Sequence, residues 1–247
     1  MYRDRCVTGI EGLDNILNGG IPLGNTVLVT GTVGTGKTTL GMEYLVRGAQ
    51  EGENCAFISV TEPSAKLIEN MRTYEFFDDK LIKDGKLHIF DLHVIYEHLG
   101  LEWGEYEIKD LDILLGAFED IVDELSITRL VIDSVTAICM QLNNRAAIRK
   151  FIFDMGSFLS TFGCTTFLIS ETIVESGVEK YSVFGVEEAI ADGIMLLGNI
   201  NRKGDLLRTI QVVKMRGTRH SRAKHVSDLT PDGMVVIPLL KWGSDIK

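Results

Sequence analysis

The chain has 247 residues, of which 45% are hydrophobic and 24% charged, enough for one large α/β domain or two small ones with a sizeable core. No apolar run approaches the ~20 residues that span a bilayer, and the N-terminal MYRDRCVTGI lacks the apolar centre of a secretion signal, so no membrane association and a cytoplasmic setting are expected. The net charge of −10 is uneven: Arg202 to Lys224 holds eight Lys/Arg against the single acid Asp205, a local +7 that leaves −17 elsewhere and makes most of the surface repel nucleic acid. Cys6, Cys55, Cys139 and Cys164 form no C-x-x-C pair, which argues against a zinc ribbon or a disulfide framework. Cys55 and Cys164 begin apolar runs and read as buried thiols.

In chain order, Ile10, Leu13, Ile16 and Leu17 are helix-spaced, and Gly19-Gly20 stops that helix. Residues 21–24 read as a turn into an apolar, β-branched strand at 26–30. The strand runs into Gly31, Gly34, Gly36, Lys37 and Thr38, the order G-x-x-x-x-G-K-T. Leu40, Met42, Leu45 and Val46 then recur at helical spacing, so the loop lies between strand and helix. Glycines let backbone N–H groups close around a triphosphate, and the helix N-terminus adds donors and partial positive charge. Gly31, Thr32, Val33, Gly34, Thr35, Gly36, Lys37, Thr38 and Thr39 are therefore the candidate nucleotide-binding residues. Lys37 would reach the β- and γ-phosphates and the Thr38 hydroxyl would ligate Mg²⁺.

Residues 55–61 form a second apolar strand, and Glu62 follows at its C-terminal end, where ligands bind in open parallel sheets. A carboxylate there can orient an attacking water or take its proton. Equally, it can serve the N-terminus of the helix opened by Pro63, with Leu67, Ile68 and Met71 on its apolar face. Residues 86–92 suggest a third strand. Residues 93–109 read as an irregular aromatic and acidic loop, either a surface loop or a protein-partner site. Asp110 is placed to cap the next helix, whose apolar positions run from Leu111 to Leu125. Arg129 to Ser134 is a buried-type strand ending in Asp133, about 95 residues after the glycine loop; this is the spacing of a Walker B acid, a second Mg²⁺ ligand. A helix at 144–162 and a strand at 165–170 come next. Ser170-Glu171 could sense the γ-phosphate or form a local hydrogen bond. Residues 172–184 suggest a mobile loop and 187–192 a short helix. The last third changes to hairpin periodicity, with segments 193–197, 206–215 and 234–237 and turns at 199–201 and 203–205.

Three spaced stretches carry a family resemblance: V-T-G-I-E-G-L-D-N-I-L-N-G-G-I-P-L-G leading into the glycine loop, L-V-I-D-S-V-T-A at 130–137, and K-M-R-G-T-R-H at 214–220. Together they resemble the KaiC-like branch of the RecA superfamily of ATPases over roughly residues 5–240. The resemblance implies an α/β, RecA-like P-loop NTPase fold: a mostly parallel central sheet flanked by helices, with a C-terminal antiparallel β extension. One ATPase domain would span 1–247. It also implies ATP/ADP and Mg²⁺ as cofactors, held by Gly34 to Thr39, Thr38 and Asp133. Family members carry one or two acids after the second strand; here Thr61 replaces the first, so Glu62 is the remaining catalytic candidate beside Lys37, and slow hydrolysis is implied. Thr73 matches a position that approaches the nucleotide. Homo-hexameric rings with ATP between protomers are implied, with Lys214 and Arg216 as catalytic groups supplied across the interface and Met215, Thr218 and His220 contacting the same nucleotide.

Four functions are compatible with these features. The first is a ring ATPase that couples nucleotide state to a protein partner. A recombinase-like, DNA-dependent ATPase is the main alternative, disfavoured by two acids against one lysine between 172 and 185, with Arg145, Arg149 and Lys150 on the other side. An autophosphorylating enzyme lacks a recognisable phosphosite. A passive nucleotide binder leaves Glu62 and the basic motif without a task.

Overall fold

The computed structural model describes residues 4–100, 108–142, 144–172, 174–175, 178–179 and 181–239. A short lead-in comprises β1 (Arg5–Cys6), α1 (Leu13–Ile16) and β2 (Ile21–Pro22), with β1 and β2 antiparallel. The helix expected here is a single turn, but Ile10, Leu13, Ile16 and Leu17 are buried as the spacing requires. Four apolar runs then form the centre of the sheet: β3 (Thr26–Gly31), β4 (Cys55–Ser59), β6 (Arg129–Asp133) and β7 (Thr165–Glu171). They are joined by α2 (Lys37–Gln50), α3 (Ser64–Met71), α4 (Asp79–Lys83), β5 (Leu87–Asp91), α5 (Leu92–His98), α6 (Ile108–Glu124), α7 (Val135–Met140) and α8 (Arg145–Phe162). After β7 come the paired β8 (Val174–Glu175) and β9 (Val178–Glu179), α9 (Glu187–Ile190), and β10 (Gly193–Arg202), β11 (Asp205–Met215), β12 (Lys224–Thr230) and β13 (Gly233–Pro238).

Among the described residues the main sheet runs β13-β12-β11-β10-β3-β7-β6-β4-β5. From β10 to β5 every pairing is parallel; from β10 to β13 every pairing is antiparallel. Strand residues alternate between two cores, as a period of two demands. Val27, Val29, Phe57, Val131, Phe167 and Ile169 face α2 and α3, whereas Leu28, Ala56, Ile58, Leu130, Ile132 and Leu168 face α6, α7 and α8. Helices thus cover both faces, so the central strands are apolar throughout. Tyr44 of α2 stacks on Phe167 with centroids 4.1 Å apart. Its ring also carries the guanidinium of buried Arg129 at 4.8 Å, and that guanidinium pairs with Glu53 and donates to Tyr44 O at 3.1 Å.

Several expectations need correction. The 93–109 stretch is not wholly irregular: α5 occupies Leu92–His98 because Leu92 and Tyr96, four apart, both bury against the α6–α8 core. The remainder, 101–107, lies outside the described residues. Asp110 is not a cap, since α6 already starts at Ile108. Residues 199–201 do not turn; β10 continues through Arg202, and the hairpin closes on Lys203 and Gly204, with φ of 54° and 97°. Positive φ at both central residues is the twist-compatible two-residue hairpin turn. The loop expected at 172–184 falls partly outside the described residues, and β8 and β9 lie within it. All four cysteines are buried free thiols, including Cys55 and Cys164.

Candidate nucleotide site

The parallel strands deliver their C-terminal ends to one edge of the sheet, and the candidate residues gather there. A cleft of about 210 Å³ is lined by Val33, Gly34, Lys37, Thr38, Glu62, Asp133 and Glu171, among others. The glycine loop adopts a wrapped form in which Gly34 and Gly36 have φ of 77° and 92°, a region that L side chains avoid. Thr35 is buried and its hydroxyl donates to Thr32 O at 2.8 Å, which stitches the loop, while Val33 stands 84% exposed at its tip. Lys37 Nζ donates to Gly31 O at 2.8 Å and Thr32 O at 2.9 Å, so the ammonium is folded into the cradle. Burial lowers its pKa, against the opposing pull of Asp133 and Glu171. Thr39 is buried at the start of α2.

The two oxygen groups expected to share a divalent cation are already adjacent: Thr38 Oγ1 donates to Asp133 Oδ2 at 2.6 Å. Burial raises the Asp133 pKa; Thr38 and Lys37 oppose this, and Glu62 and Glu171 add to it. A hydroxyl and a carboxylate side by side form a hard oxygen donor set that fits Mg²⁺. Glu62 lines the same cleft. Its carboxylate accepts from Asn70 Nδ2 at 2.9 Å and faces Lys66 Nζ at 3.6 Å. Among the described residues it accepts no hydrogen bond from the first amides of α3. That role belongs to Asp91, which accepts from both the backbone N–H and the hydroxyl of Ser64. Ser170 also differs from one expectation: it is buried with its hydroxyl against Thr136 Oγ1 at 2.9 Å, turned from the cleft, and Glu171 is the residue that reaches it.

The basic motif lies elsewhere. Lys214 pairs with Ile194, which pairs with Leu28, three residues before Gly31. At ~3.3 Å per residue that is about 10 Å short of the loop along the strand direction, with two strand spacings to cross as well, and Arg216 is farther still. Lys214 Nζ donates to Ala191 O at 2.7 Å, and Arg216 faces Asp192 at 3.3 Å. The Met215 side chain is buried. The Thr218 hydroxyl donates to Leu17 O and Arg219 O, and both ring nitrogens of His220 are buried without a partner among the described residues. Thr73 is exposed beyond α3 and donates to Asn70 O. The structure therefore unites the glycine loop, Thr38, Asp133 and Glu62, and leaves Lys214, Arg216, Thr218 and His220 at the opposite edge.

Two neighbours of the loop were not anticipated. Arg208 of β11 donates from Nε to Gly34 O at 3.2 Å, and Leu229 of β12 lines the outer side of residues 34–39. Both contacts join segments almost the length of the chain apart, so no local pattern marks them.

A parallel sheet with a wrapped glycine loop at its C-terminal edge, beside a threonine–aspartate pair, defines the class: a nucleotide-binding ATPase of RecA-like fold. A family model described as "ATPase: KaiC" matches residues 6–241. The chain belongs to the KaiC ATPase family. It is 34% identical over 237 residues to a circadian clock oscillator protein KaiC of Acaryochloris marina, covering 95% of this chain but 44% of that relative, so it spans about half the length of such proteins. It is also 35% identical over 240 residues to a UPF0273 protein of Thermotoga maritima, covering 95% of this chain and 96% of the relative. A crystal structure of a KaiC-like protein from Pyrococcus horikoshii superposes with a TM-score of 0.82 at 33% identity, covering 96% of this chain and all of the other.

Proposed function

We propose that the chain is a Mg²⁺-dependent ATPase, one domain per protomer, that works as a homo-hexameric ring with nucleotide between protomers and couples nucleotide state to a protein partner. One observation carries this reading: the cleft and the basic motif end at opposite edges of one sheet, so Lys214 and Arg216 can meet a triphosphate only on another copy of the chain.

In this reading the N–H groups of Gly31 to Thr39 enclose the phosphates, and Lys37 leaves the carbonyls of Gly31 and Thr32 for the β- and γ-phosphate oxygens. Thr38 and Asp133, 2.6 Å apart, would hold the cation. Mg²⁺, when bound, neutralises developing charge on the phosphate oxygens. Glu62 orients the attacking water and accepts its proton. Lys214 and Arg216 of the adjacent protomer stabilise charge on the transferred group, and Thr218, His220 and the backbone at Met215 hold the same nucleotide. Thr73 comes close to it only if α3 shifts toward the cleft. With Thr61 in place of a second acid, turnover is slow.

The test mixes two inactive variants. Lys37→Ala has no competent loop, and Arg216→Ala has no competent finger. Random assembly of the two leaves about a quarter of interfaces intact, so phosphate release recovers to about that fraction. No recovery, from proteins that light scattering shows to assemble with Mg-ATP, overturns the shared site; a species that stays monomeric with ATP overturns the ring.

A further inference from the structure

Away from the nucleotide cleft, a cavity of about 370 Å³ opens where the first turns of α8 meet residues 184–186. Buried Ile148, with half-buried Phe184 and Val186, forms its floor; Arg145 and Arg149, four residues apart on one helix face, stand exposed at its rim. Among the described residues neither guanidinium has a hydrogen bond or an ion-pair partner. Lys150 beside them is fully engaged, with Asp112 and Asp154 each at 2.7 Å. The opposite wall is held from behind. Fully buried Glu187 accepts from Val186 N at 3.0 Å and Phe184 N at 3.4 Å, and buried Ser182 accepts from Gly185 N at 3.1 Å. Glu187 is therefore committed to the wall's own amides and does not answer the arginines.

Two guanidiniums without a protein partner among the described residues, above an apolar floor, suit a ligand with both characters. A bare inorganic anion leaves the floor wet, and a neutral apolar molecule leaves the arginines unused. A long polyanion meets the −17 charge of the surrounding body. We propose that this cavity binds a small amphipathic anion: an apolar chain or ring carrying a carboxylate or phosphate head, gripped by Arg145 and Arg149 and seated on Phe184, Ile148 and Val186. Guanidinium geometry suits such heads, and the volume is that of a small-molecule site, ~300–1,000 Å³. The proposal does not depend on the ATPase reading.

Calorimetry on the full chain tests it with octanoate, 1-octanol and inorganic phosphate as probes. Octanoate binds saturably, once per protomer, and the other two bind at least about tenfold more weakly. The double variant Arg145→Gln/Arg149→Gln loses about tenfold or more toward octanoate, leaves octanol unchanged and keeps ATP turnover. Both arginines are exposed and, among the described residues, bond nothing, so the variant folds. Phe184→Ser weakens octanoate and octanol alike. Unsaturable octanoate binding, or octanoate affinity indifferent to the two arginines, overturns the proposal. So does capture of a short oligothymidylate that the double variant abolishes, which would assign the arginines to nucleic acid.

Discussion

The parallel and antiparallel halves of this sheet deliver their functional residues to opposite edges. In the parallel half, strands β3, β4, β6 and β7 all point the same way, so Gly31, Glu62, Asp133 and Glu171 arrive together although they come from four separate parts of the chain. In the antiparallel half β11 runs the other way, and its end carries Lys214 and Arg216 to the edge the parallel strands start from. Strand direction thus decides which charges can meet within one protomer. Acids and the glycine loop are brought together at one edge; Lys214 and Arg216 are held at the other.

Four substitutions can break or sharpen that contrast. Arg216→Ala removes a far-edge cation and is expected to lower kcat by ~10³ or more while leaving the protomer folded, since Arg216 is itself exposed and, among the described residues, its ion pair is with half-buried Asp192 at 3.3 Å. Full activity in steady-state phosphate release would make the antiparallel half a passive extension. Glu62→Gln should keep nucleotide binding and lower kcat by ~10²–10⁴. An unchanged kcat removes Glu62 from the chemistry and turns attention to Glu171. Gly48→Ala addresses the scaffold that both halves share: a Cβ there would stand 2.3 Å from Arg129 Nε. Displacing that buried guanidinium from Glu53 and the Tyr44 ring should cost about 2–3 kcal/mol by denaturant titration, with ATP affinity retained in the folded fraction. Lys66→Ala should do least. The lysine is exposed and 3.6 Å from Glu62, a pair worth under about 1 kcal/mol. A large fall in kcat there would show that Lys66 aims Glu62.

Much of this arrangement was legible in the residues because the parallel half is built from strong local signals. Apolar β-branched runs at 26–30, 129–133 and 165–170 are what strands buried on both faces require, and the glycine loop and Asp133 sit at their ends. The antiparallel half was harder to read. In β12 the inward positions are His225 and Ser227, buried polar residues that a hydrophobic pattern does not register. Asn199-Ile200-Asn201 has turn composition, yet Ile200 pairs with Leu207 and the strand continues. Glu62 could not be separated from a helix-terminal acid until Asp91 was found bound to Ser64. Arg208 escaped notice because its contact with Gly34 spans 174 residues.

That same arginine gives β11 two ends with different addresses. Arg208 touches the glycine loop of its own protomer, and Arg216 lies just past the other end of β11, beyond a register break opposite Ile194 and Met195. In a ring assembled as proposed, one strand would connect consecutive sites. A loop that releases Arg208 on filling would shift the strand bearing the next site's finger. Turnover would then rise sigmoidally with ATP, and Arg208→Ala would return it to a hyperbola.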